Sequence, residues 1–514
     1  MEVLADHSTD GRESMSVPPI DRMGNLVRGT HLREGEAGHN VLLVGTMEDT
    51  QRSQPISTEN QEIAKQAACE TERGSVSSWE NRPLVLTGES SLEWIRMLAK
   101  KEPGTIFTSL AHRIDLDLLK QSFQKIRKND STGVDKVTAK EYGINLEENL
   151  YNLHQRLLRG QYVAAPVRRV WIDKESGKKR PIGITALEDK IVQKAVAIIL
   201  EAVYDADFYD FSHAFREEHS QHGAISEIRE SCMRLNVGWI VSADITGLFD
   251  NIEHNHLRNM IKRRVNDGGI LRLIGKWLNA GVMEEGHLSY PGKGTPQGGV
   301  ISPVLSNIFL HYVLDDWFVK EVKPRMKGRC FITRYADDFI LGFELESDVQ
   351  RVMDVLPRRF NCYGLSLHPD KTKVILFRKP SLKEKGKGPG TFDFLGFTFY
   401  WSKSRNGYWV LKKKTIGKRR SRFMKELWQW CRRHRHDKIE DQHERLTSKL
   451  RGYFNYFGVR GNYKALEVVY KHAEKAWKFW LSRRSHKGRV NWEKFASIRA
   501  AFPFPKPRIV HNNI

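Results

Sequence analysis

Two adjacent aspartates, Asp337 and Asp338, lie between two apolar runs in the stretch FITRYADDFILGF, residues 331–343. Both runs are rich in strand-forming residues, which predicts a β-hairpin with its tight turn at Ala336-Asp337-Asp338. Burying unpaired carboxylates is costly, so the tip must face water or hold a hard cation such as Mg²⁺. A solvated turn is the alternative, because Asp is a common turn residue.

A third aspartate, Asp244, stands at the end of an apolar strand predicted to begin at Trp239. Carboxylates at the ends of neighbouring strands can hold two metal ions for phosphoryl transfer. Adjacent strand residues point to opposite faces, so Asp338 joins such a site only if the turn re-aims it. The sequence therefore predicts a site built on Asp244 and Asp337, with Asp338 less firmly placed.

Two loops have compositions suited to a nucleotide. The segment DKESGKKRP, residues 173–181, is a predicted basic hairpin turn, and its cations suit a phosphate chain. The loop GTPQGGVISP, residues 294–303, has glycines that permit close backbone approach to a ligand, and Gln297 offers both a donor and an acceptor. Either loop alone would be interpreted as an ordinary exposed loop. Their order in the chain around Asp244 is what supports a nucleotide-binding role.

The net positive charge of the protein comes entirely from the end of the chain. The 514 residues carry a net charge of +22. The segment from Trp401 to Ile514 contains 30 Lys and Arg against 8 Asp and Glu, so it accounts for the whole excess. A concentrated positive surface is typical of proteins that bind nucleic acid. A solvated basic face is the weaker alternative, because aromatic residues are interleaved with the charges.

The cysteines and the hydropathy pattern indicate a reducing cytoplasm without membrane contact. No run is long enough to span a bilayer, and the start has no signal-peptide pattern. The odd number of cysteines does not suit a disulfide framework, and no two of them have metal-ligand spacing. They are Cys69, Cys232, Cys330, Cys362 and Cys431.

These segments, in this order, resemble the group II intron-encoded reverse transcriptases, and the similarity extends over about residues 85 to 514. It implies an α+β, right-hand polymerase with fingers, a palm built on an antiparallel sheet, and a helical thumb, of the bacterial type without an endonuclease module. The chain departs from the family pattern at Ala214, Glu217, Glu218 and Thr246. The further matching blocks are residues 211–216, 364–372, 392–397, 450–457 and 503–511.

The resemblance also implies residue roles. Asp244, Asp337 and Asp338 would be catalytic, and together with Ile245 they would bind two Mg²⁺ ions, for which Mn²⁺ could substitute. One ion would lower the pKa of a primer 3′-hydroxyl and the other would hold the triphosphate. The residues expected to contact the dNTP are Lys174, Arg180, Phe249 and Gln297, with Phe249 excluding a ribose 2′-hydroxyl.

Two sets of residues are expected to contact nucleic acid. Tyr335 precedes the aspartates, and Lys471, Lys475 and Lys478 lie on a basic helix whose apolar stripe we interpret as core. The expected domains are a disordered extension (1–81), fingers (82–240), palm (241–400), a helical basic thumb or maturase domain (401–482) and a short basic tail (483–514).

The predicted function is RNA-directed DNA polymerisation by a protein that also binds intron RNA and assists splicing and retrohoming. Its partners would be an RNA template, the intron RNA and a DNA primer or target. Three alternatives stay open. The chain could be chiefly an RNA-binding splicing cofactor, or a related polymerase recruited to DNA repair or phage defence, or, more distantly, a nuclease that uses the same carboxylates.

Overall fold

The amino-terminal part of the described chain is helical. The computed structural model describes residues 88–512 except 129, 174–178, 285, 291, 296–297, 385–387 and 486–487, so the expected disordered extension lies outside it. Asp115 begins the second helix by accepting a hydrogen bond from the backbone N–H of Leu118 at 2.7 Å, a typical N-cap. The first helices are α1 (Gly88–Lys101), α2 (Leu116–Lys125), α3 (Ala139–Tyr142) and α4 (Leu146–Leu158).

The basic hairpin predicted around residue 175 is present as β1 (Val167–Asp173) and β2 (Lys179–Ile184), which pair antiparallel. It belongs to a four-stranded sheet in the order β2-β1-β4-β5. The next element, α5 (Leu187–Tyr204), is buried along almost its whole length. The elements that follow are α6 (Gln221–Arg234), β3 (Trp239–Asp244), α7 (Leu248–Asn251), α8 (His254–Lys262), α9 (Gly268–Leu278), β4 (Val282–Glu284) and β5 (His287–Ser289).

The aspartate strands form an antiparallel sheet in the order β6-β7-β3-β8. Alternate residues of its strands enter two different cores. Val241 and Leu341 pack with the amino-terminal helices, whereas Ile240 and Ile340 pack with the carboxy-terminal part. Covering both faces fixes the register, because a slip of one residue would exchange the two faces. The elements from this region are α10 (Ser302–Leu310), a π-helical segment (His311–Asp315), β6 (Cys330–Tyr335), β7 (Asp338–Phe343), α11 (Glu346–Asn361) and β8 (Lys373–Leu376).

The expectation that the chain becomes helical at about residue 400 is wrong. A three-stranded sheet in the order β11-β10-β9 continues to Thr415, and the helices begin only at Gly417. Its strands alternate buried Trp401, Trp409 and Leu411 with more exposed residues. These last elements are β9 (Phe392–Phe394), β10 (Phe397–Lys403), β11 (Trp409–Thr415), α12 (Gly417–Arg433), α13 (Ile439–Phe457), α14 (Tyr463–Leu481) and α15 (Trp492–Ala501).

Among the helices in the described part of the chain, not one combines the length and the apolar character needed to cross a membrane.

Candidate active site

The hairpin of β6 and β7 has a two-residue turn made of Ala336 and Asp337. Ala336 adopts the left-handed conformation, with φ of 56°. Two-residue hairpin turns need a positive φ because it matches the twist of the flanking strands. The predicted hairpin is thus confirmed, with Asp338 opening β7 instead of lying in the turn.

Asp244 and Asp338 are direct partners in the antiparallel pairing of β3 with β7. Directly opposed residues have Cβ atoms about 5 Å apart on the same face, so their side chains can meet. A hydrogen bond links their two carboxyl groups, and Asp337 interacts electrostatically with both. Asp338 therefore joins the cluster through strand register, and it is Asp337 that the turn brings to it.

The pKa shifts of the carboxyl groups reflect how close together these groups lie. The pKa of Asp338 is raised, first by desolvation, then by the hydrogen bond to Asp244 and by the charges of Asp337 and Asp244. The pKa of Asp337 is also raised, first by burial and then by the charge of Asp244. Asp338 as a whole residue is exposed to solvent, so the desolvation concerns only the immediate surroundings of its carboxyl group. With three carboxyl groups so close together, ionising all of them is unfavourable unless cations compensate the negative charge.

Two cationic side chains border the cluster. Lys371 donates a hydrogen bond from Nζ to Oδ2 of Asp244 at 2.6 Å. Burial opposes its charge, but the hydrogen bond and the nearby aspartates outweigh burial and raise the pKa of Lys371. Arg180, on β2, is close enough for its charge to offset part of the rise in the pKa of Asp337. The hairpin of β1 and β2 therefore lies near the carboxylates.

The donor chemistry of the cluster fits hard divalent cations, which bind carboxylate oxygens. Within residues 88–512 as described, no group of three or more His, Cys, Asp or Glu side chains is arranged to enclose an ion. The Lys371 ammonium group instead compensates Asp244. Ile245 is buried in the core, with 1% of the residue exposed, and its side chain carries no ligand atom, so only its backbone carbonyl could contribute to a metal site.

Phe249 lies on α7 against the predicted nucleotide loop. Its carbonyl accepts a hydrogen bond from the backbone N–H of Thr295 at 2.6 Å, and Gly294 N–H donates to the carbonyl of Ile252 at 2.8 Å. Gly294 has φ of 91°, and a Cβ there would lie 2.9 Å from the carbonyl oxygen of Asp250, so this approach requires glycine. The Phe249 side chain is half-buried. Lys174 and Gln297 lie outside the described residues.

The predicted nucleic-acid contacts fall in two places. Tyr335 ends β6 and is paired with Asp338, next to the carboxylates. The three lysines lie on α14: Lys471 pairs with Glu467 at 2.8 Å, Lys475 is exposed, and Nζ of Lys478 lies 4.3 Å from the centre of the Trp492 ring.

The apolar stripe of α14 is core, as we interpreted it from its spacing. Its buried members are Leu466, Val469, Ala473, Trp477 and Leu481.

Sequence reasoning did not single out two residues that contact the site. Lys371 lies in the block of residues 364–372, which was noted only because the block resembles the family. Arg334 immediately precedes Tyr335, and its side chain hydrogen-bonds the turn. The available sequence signals were, for Lys371, a lysine near an acidic strand end and, for Arg334, an arginine within an apolar strand.

Comparison with known proteins agrees with this geometry. The family model "Reverse transcriptase (RNA-dependent DNA polymerase)" matches residues 172–399, which include all three aspartates. The chain is 32% identical to Protein YkfC of Escherichia coli over 311 residues, which are 54% of this chain and 77% of YkfC.

Intron-encoded proteins are similar over shorter lengths. The chain is 37% identical to the group II intron-encoded protein LtrA of Lactococcus lactis over 239 residues, 46% of this chain and 39% of LtrA. It is 30% identical to nuclear intron maturase 4 of Arabidopsis thaliana over 175 residues, 31% of this chain and 22% of that protein. The matches thus span less than half of these two relatives. With the α+β fold and antiparallel palm sheet, they show that the chain belongs to the group II intron-encoded reverse transcriptases, which are RNA-directed DNA polymerases.

Proposed function

We propose that the chain adds dNTPs to a primer 3′-hydroxyl on an RNA template, with Asp244, Asp337 and Asp338 as its catalytic carboxylates. The observation that carries this proposal is their convergence at the β3 and β7 strand ends beside Lys371. The three aspartates would hold two Mg²⁺ ions, or Mn²⁺ in their place, with help from the carbonyl of Ile245. Such ions make a hydroxyl more acidic and stabilise charge on a leaving pyrophosphate.

The incoming nucleotide would lie between α7 and the hairpin of β1 and β2. Arg180 is suited to the triphosphate because a guanidinium group binds phosphate oxygens bidentately, and Lys174 of the same hairpin would add a second cation. Phe249 would close against the sugar, and Gln297 would offer hydrogen bonds to the nucleotide. The contact between α7 and Thr295 supports a shared wall for this pocket.

The carboxy-terminal part would bind RNA. Its charge excess, equal to the net charge of the whole chain, supports contact with an RNA template and with group II intron RNA, and Lys471, Lys475 and Lys478 would take part. Through this surface the chain would assist splicing and retrohoming into a DNA target. The second candidate function, an RNA-binding splicing cofactor with secondary polymerase activity, rests on the same charge excess.

We also propose a reducing compartment such as the cytoplasm for this protein. Cys232, Cys330, Cys362 and Cys431 are free thiols, in agreement with the odd cysteine count of the sequence.

The test is primer extension on an RNA template with Mg²⁺. Asp244→Asn and Asp337→Asn should each lower the rate by on the order of 100-fold or more, as the loss of an electrostatic group at a reacting centre does. Asp354→Asn, on the exposed face of α11, makes the same charge change outside the cluster and should extend primers normally. Near-normal extension by Asp244→Asn or Asp337→Asn would exclude the assignment.

A further inference from the structure

A buried ion pair lies directly behind the catalytic hairpin. Arg334, on β6, and Asp315, at the end of the π-helical segment, are both 0% exposed. The pair is bidentate, with Nε–Oδ1 and Nη2–Oδ2 distances of 2.8 and 2.5 Å. Removing two charges from water usually costs more than their attraction returns. Stability alone therefore does not account for this pair.

All five N–H donors of Arg334 have a partner. Besides Asp315, Nη2 donates to Oγ of Ser212 at 2.6 Å, and Nη1 donates to Oδ1 of Asn307 at 3.1 Å and to the carbonyl oxygen of Ala336 at 3.3 Å. The backbone of Arg334 is also held: its N–H donates to the carbonyl of Phe211, at 2.8 Å. The guanidinium group is consequently fixed by three separate elements, and it offers one hydrogen bond to the turn.

That hydrogen bond acts on the peptide group between Ala336 and Asp337. The carbonyl of this peptide accepts a hydrogen bond from Arg334 at 3.3 Å, and its nitrogen is the backbone nitrogen of Asp337. A peptide group is planar and trans, so fixing the direction of its C=O also fixes the direction of its N–H. The Arg334 side chain thus fixes, through one rigid unit, the backbone from which the Asp337 carboxyl group projects.

The turn needs such support, because Ala336 is left-handed. A non-glycine residue in this conformation is strained and persists where the surroundings hold it. Burial of Arg334 and the π-helical segment that delivers Asp315 supply those surroundings. π-Helical turns are rare and are often found at functional sites.

We propose that Arg334 is a positioning residue, which with Asp315 holds the Ala336–Asp337 peptide so that the Asp337 carboxyl group stays in place. This inference rests on the proposed function for its kinetic consequence, but the turn geometry can be measured without catalysis. Arg334→Lys keeps a positive charge opposite Asp315 and removes the planar fork. The double variant Arg334→Met/Asp315→Leu replaces the pair by apolar side chains, which buried pairs often tolerate.

The control is a second buried Arg–Asp pair that does not touch the turn. Arg264 donates to Asp207 at 2.7 Å, with 5% and 16% of the two side chains exposed. Arg264→Met/Asp207→Leu therefore removes the same chemistry elsewhere. The full chain and all variants are compared by thermal unfolding, by hydrogen–deuterium exchange of residues 335–339 without metal or substrate, and by primer-extension kinetics.

In the Arg334 variants we expect faster exchange at the turn and a kcat lower by about 10- to 100-fold, since small displacements of reacting groups have effects of this size. The KM for dNTP and the affinity for primer–template should change less than about threefold, and the control should keep wild-type turn exchange and kcat.

Wild-type turn exchange in the folded Arg334 variants would overturn the proposal, as would an equal loss of kcat in the control. Unfolding of both Arg334 variants would also overturn it, because the pair would then serve stability. A wild-type chain without polymerase activity would contradict the proposed function and leave the exchange comparison valid.

Discussion

Asp337 and Asp338 are adjacent in the chain but are held by different interactions. Asp338 faces Asp244 through the pairing of β7 with β3, so its position follows from the register of a sheet buried on both faces. Asp337 lies in the turn, where the peptide group between Ala336 and Asp337 accepts a hydrogen bond from Arg334. Changes in the turn should therefore disturb Asp337 first and leave the Asp244–Asp338 contact in place.

Phe249 gives the residue-scale prediction on substrate choice. If its ring closes on the 2′ position of the sugar, Phe249→Ala and Phe249→Val remove a steric clash that rejects ribonucleotides. The ratio of kcat/KM for rNTP to that for dNTP should rise by roughly 10-fold or more, the range that one buried contact supplies. The ratio is measured by single-nucleotide incorporation.

The control for this experiment is Phe502→Ala, which truncates a partly buried ring packed against the carboxy-terminal core. It should leave the discrimination ratio unchanged. If the Phe249 variants also leave the ratio unchanged, the side chain that excludes the 2′-hydroxyl lies elsewhere.

Strand β11 shows why the chain around residue 400 was misread. Its sequence WVLKKKT has three consecutive lysines, which suggests a solvated basic helix or loop. In the structure the inward face of the strand carries Trp409, Leu411, Lys413 and Thr415. Lys413 is 3% exposed. Period-2 alternation of apolar and polar residues is the sequence signal for a half-buried strand, and a lysine at an inward position removes it.

Lys413 leads to the element-scale prediction. Burial, and then the nearby charge of Arg229, lower the pKa of Lys413 to about 8. The folded pKa lies below the unfolded value of 10.5, so the unfolded chain binds more protons between these values and stability rises with pH there. Below about pH 8 the full cost of the buried charge remains. It is on the order of 3 kcal/mol, from about 1.4 kcal/mol for each pKa unit.

Lys413→Met should therefore raise the thermal unfolding temperature by several degrees at pH 7, and its advantage should vanish as the pH approaches 10.5. The measurement is thermal unfolding of both proteins across this pH range, with Lys414→Met at an exposed neighbouring position as control. A destabilised Lys413→Met at pH 7 would mean that the ammonium group has a favourable partner, and the sign of the pH dependence would be reversed.

Local sequence was sufficient for elements whose pattern is complete within a few residues. The strand ending at Asp244 and the hairpin around Asp337 were both predicted, because each has a run of strand-forming residues and its own boundary signal. The Arg334–Asp315 pair could not be predicted, since its members are 19 residues apart on different elements and meet only through packing. The contact of Lys371 with Asp244 is similarly non-local.

At the scale of the whole molecule, the carboxylates and the positive charge belong to different parts of the chain. The aspartates lie on the β6-β7-β3-β8 sheet, whereas the charge excess lies after residue 400. Polyanion binding releases counterions from the nucleic acid, so its affinity should depend on the charged part and fall steeply with salt. Chemistry should instead depend on the carboxylates. The two activities should therefore be separable by substitution.

The experiment compares two variants in two assays, RNA binding against salt concentration and primer extension. Replacing Lys471, Lys475 and Lys478 by Gln should flatten the salt dependence by about one unit for each lost phosphate contact, without altering the carboxylates. Because Lys471 already pairs with Glu467 and Lys478 lies over Trp492, we expect a change of about one to three units. Replacing Lys100, Lys101 and Lys140 by Gln is the matched control and should leave the slope unchanged.

Asp337→Ala should abolish primer extension and retain RNA binding, because removing a carboxylate that faces phosphates does not weaken attraction to a polyanion. Its affinity for RNA should equal or slightly exceed that of the wild type, most visibly at low salt, where screening is weakest. A wild-type salt slope in the α14 lysine variant would move the main RNA surface away from that helix. Loss of RNA binding in Asp337→Ala would mean that template contacts near the carboxylates, and not the positive charge after residue 400, supply most of the affinity.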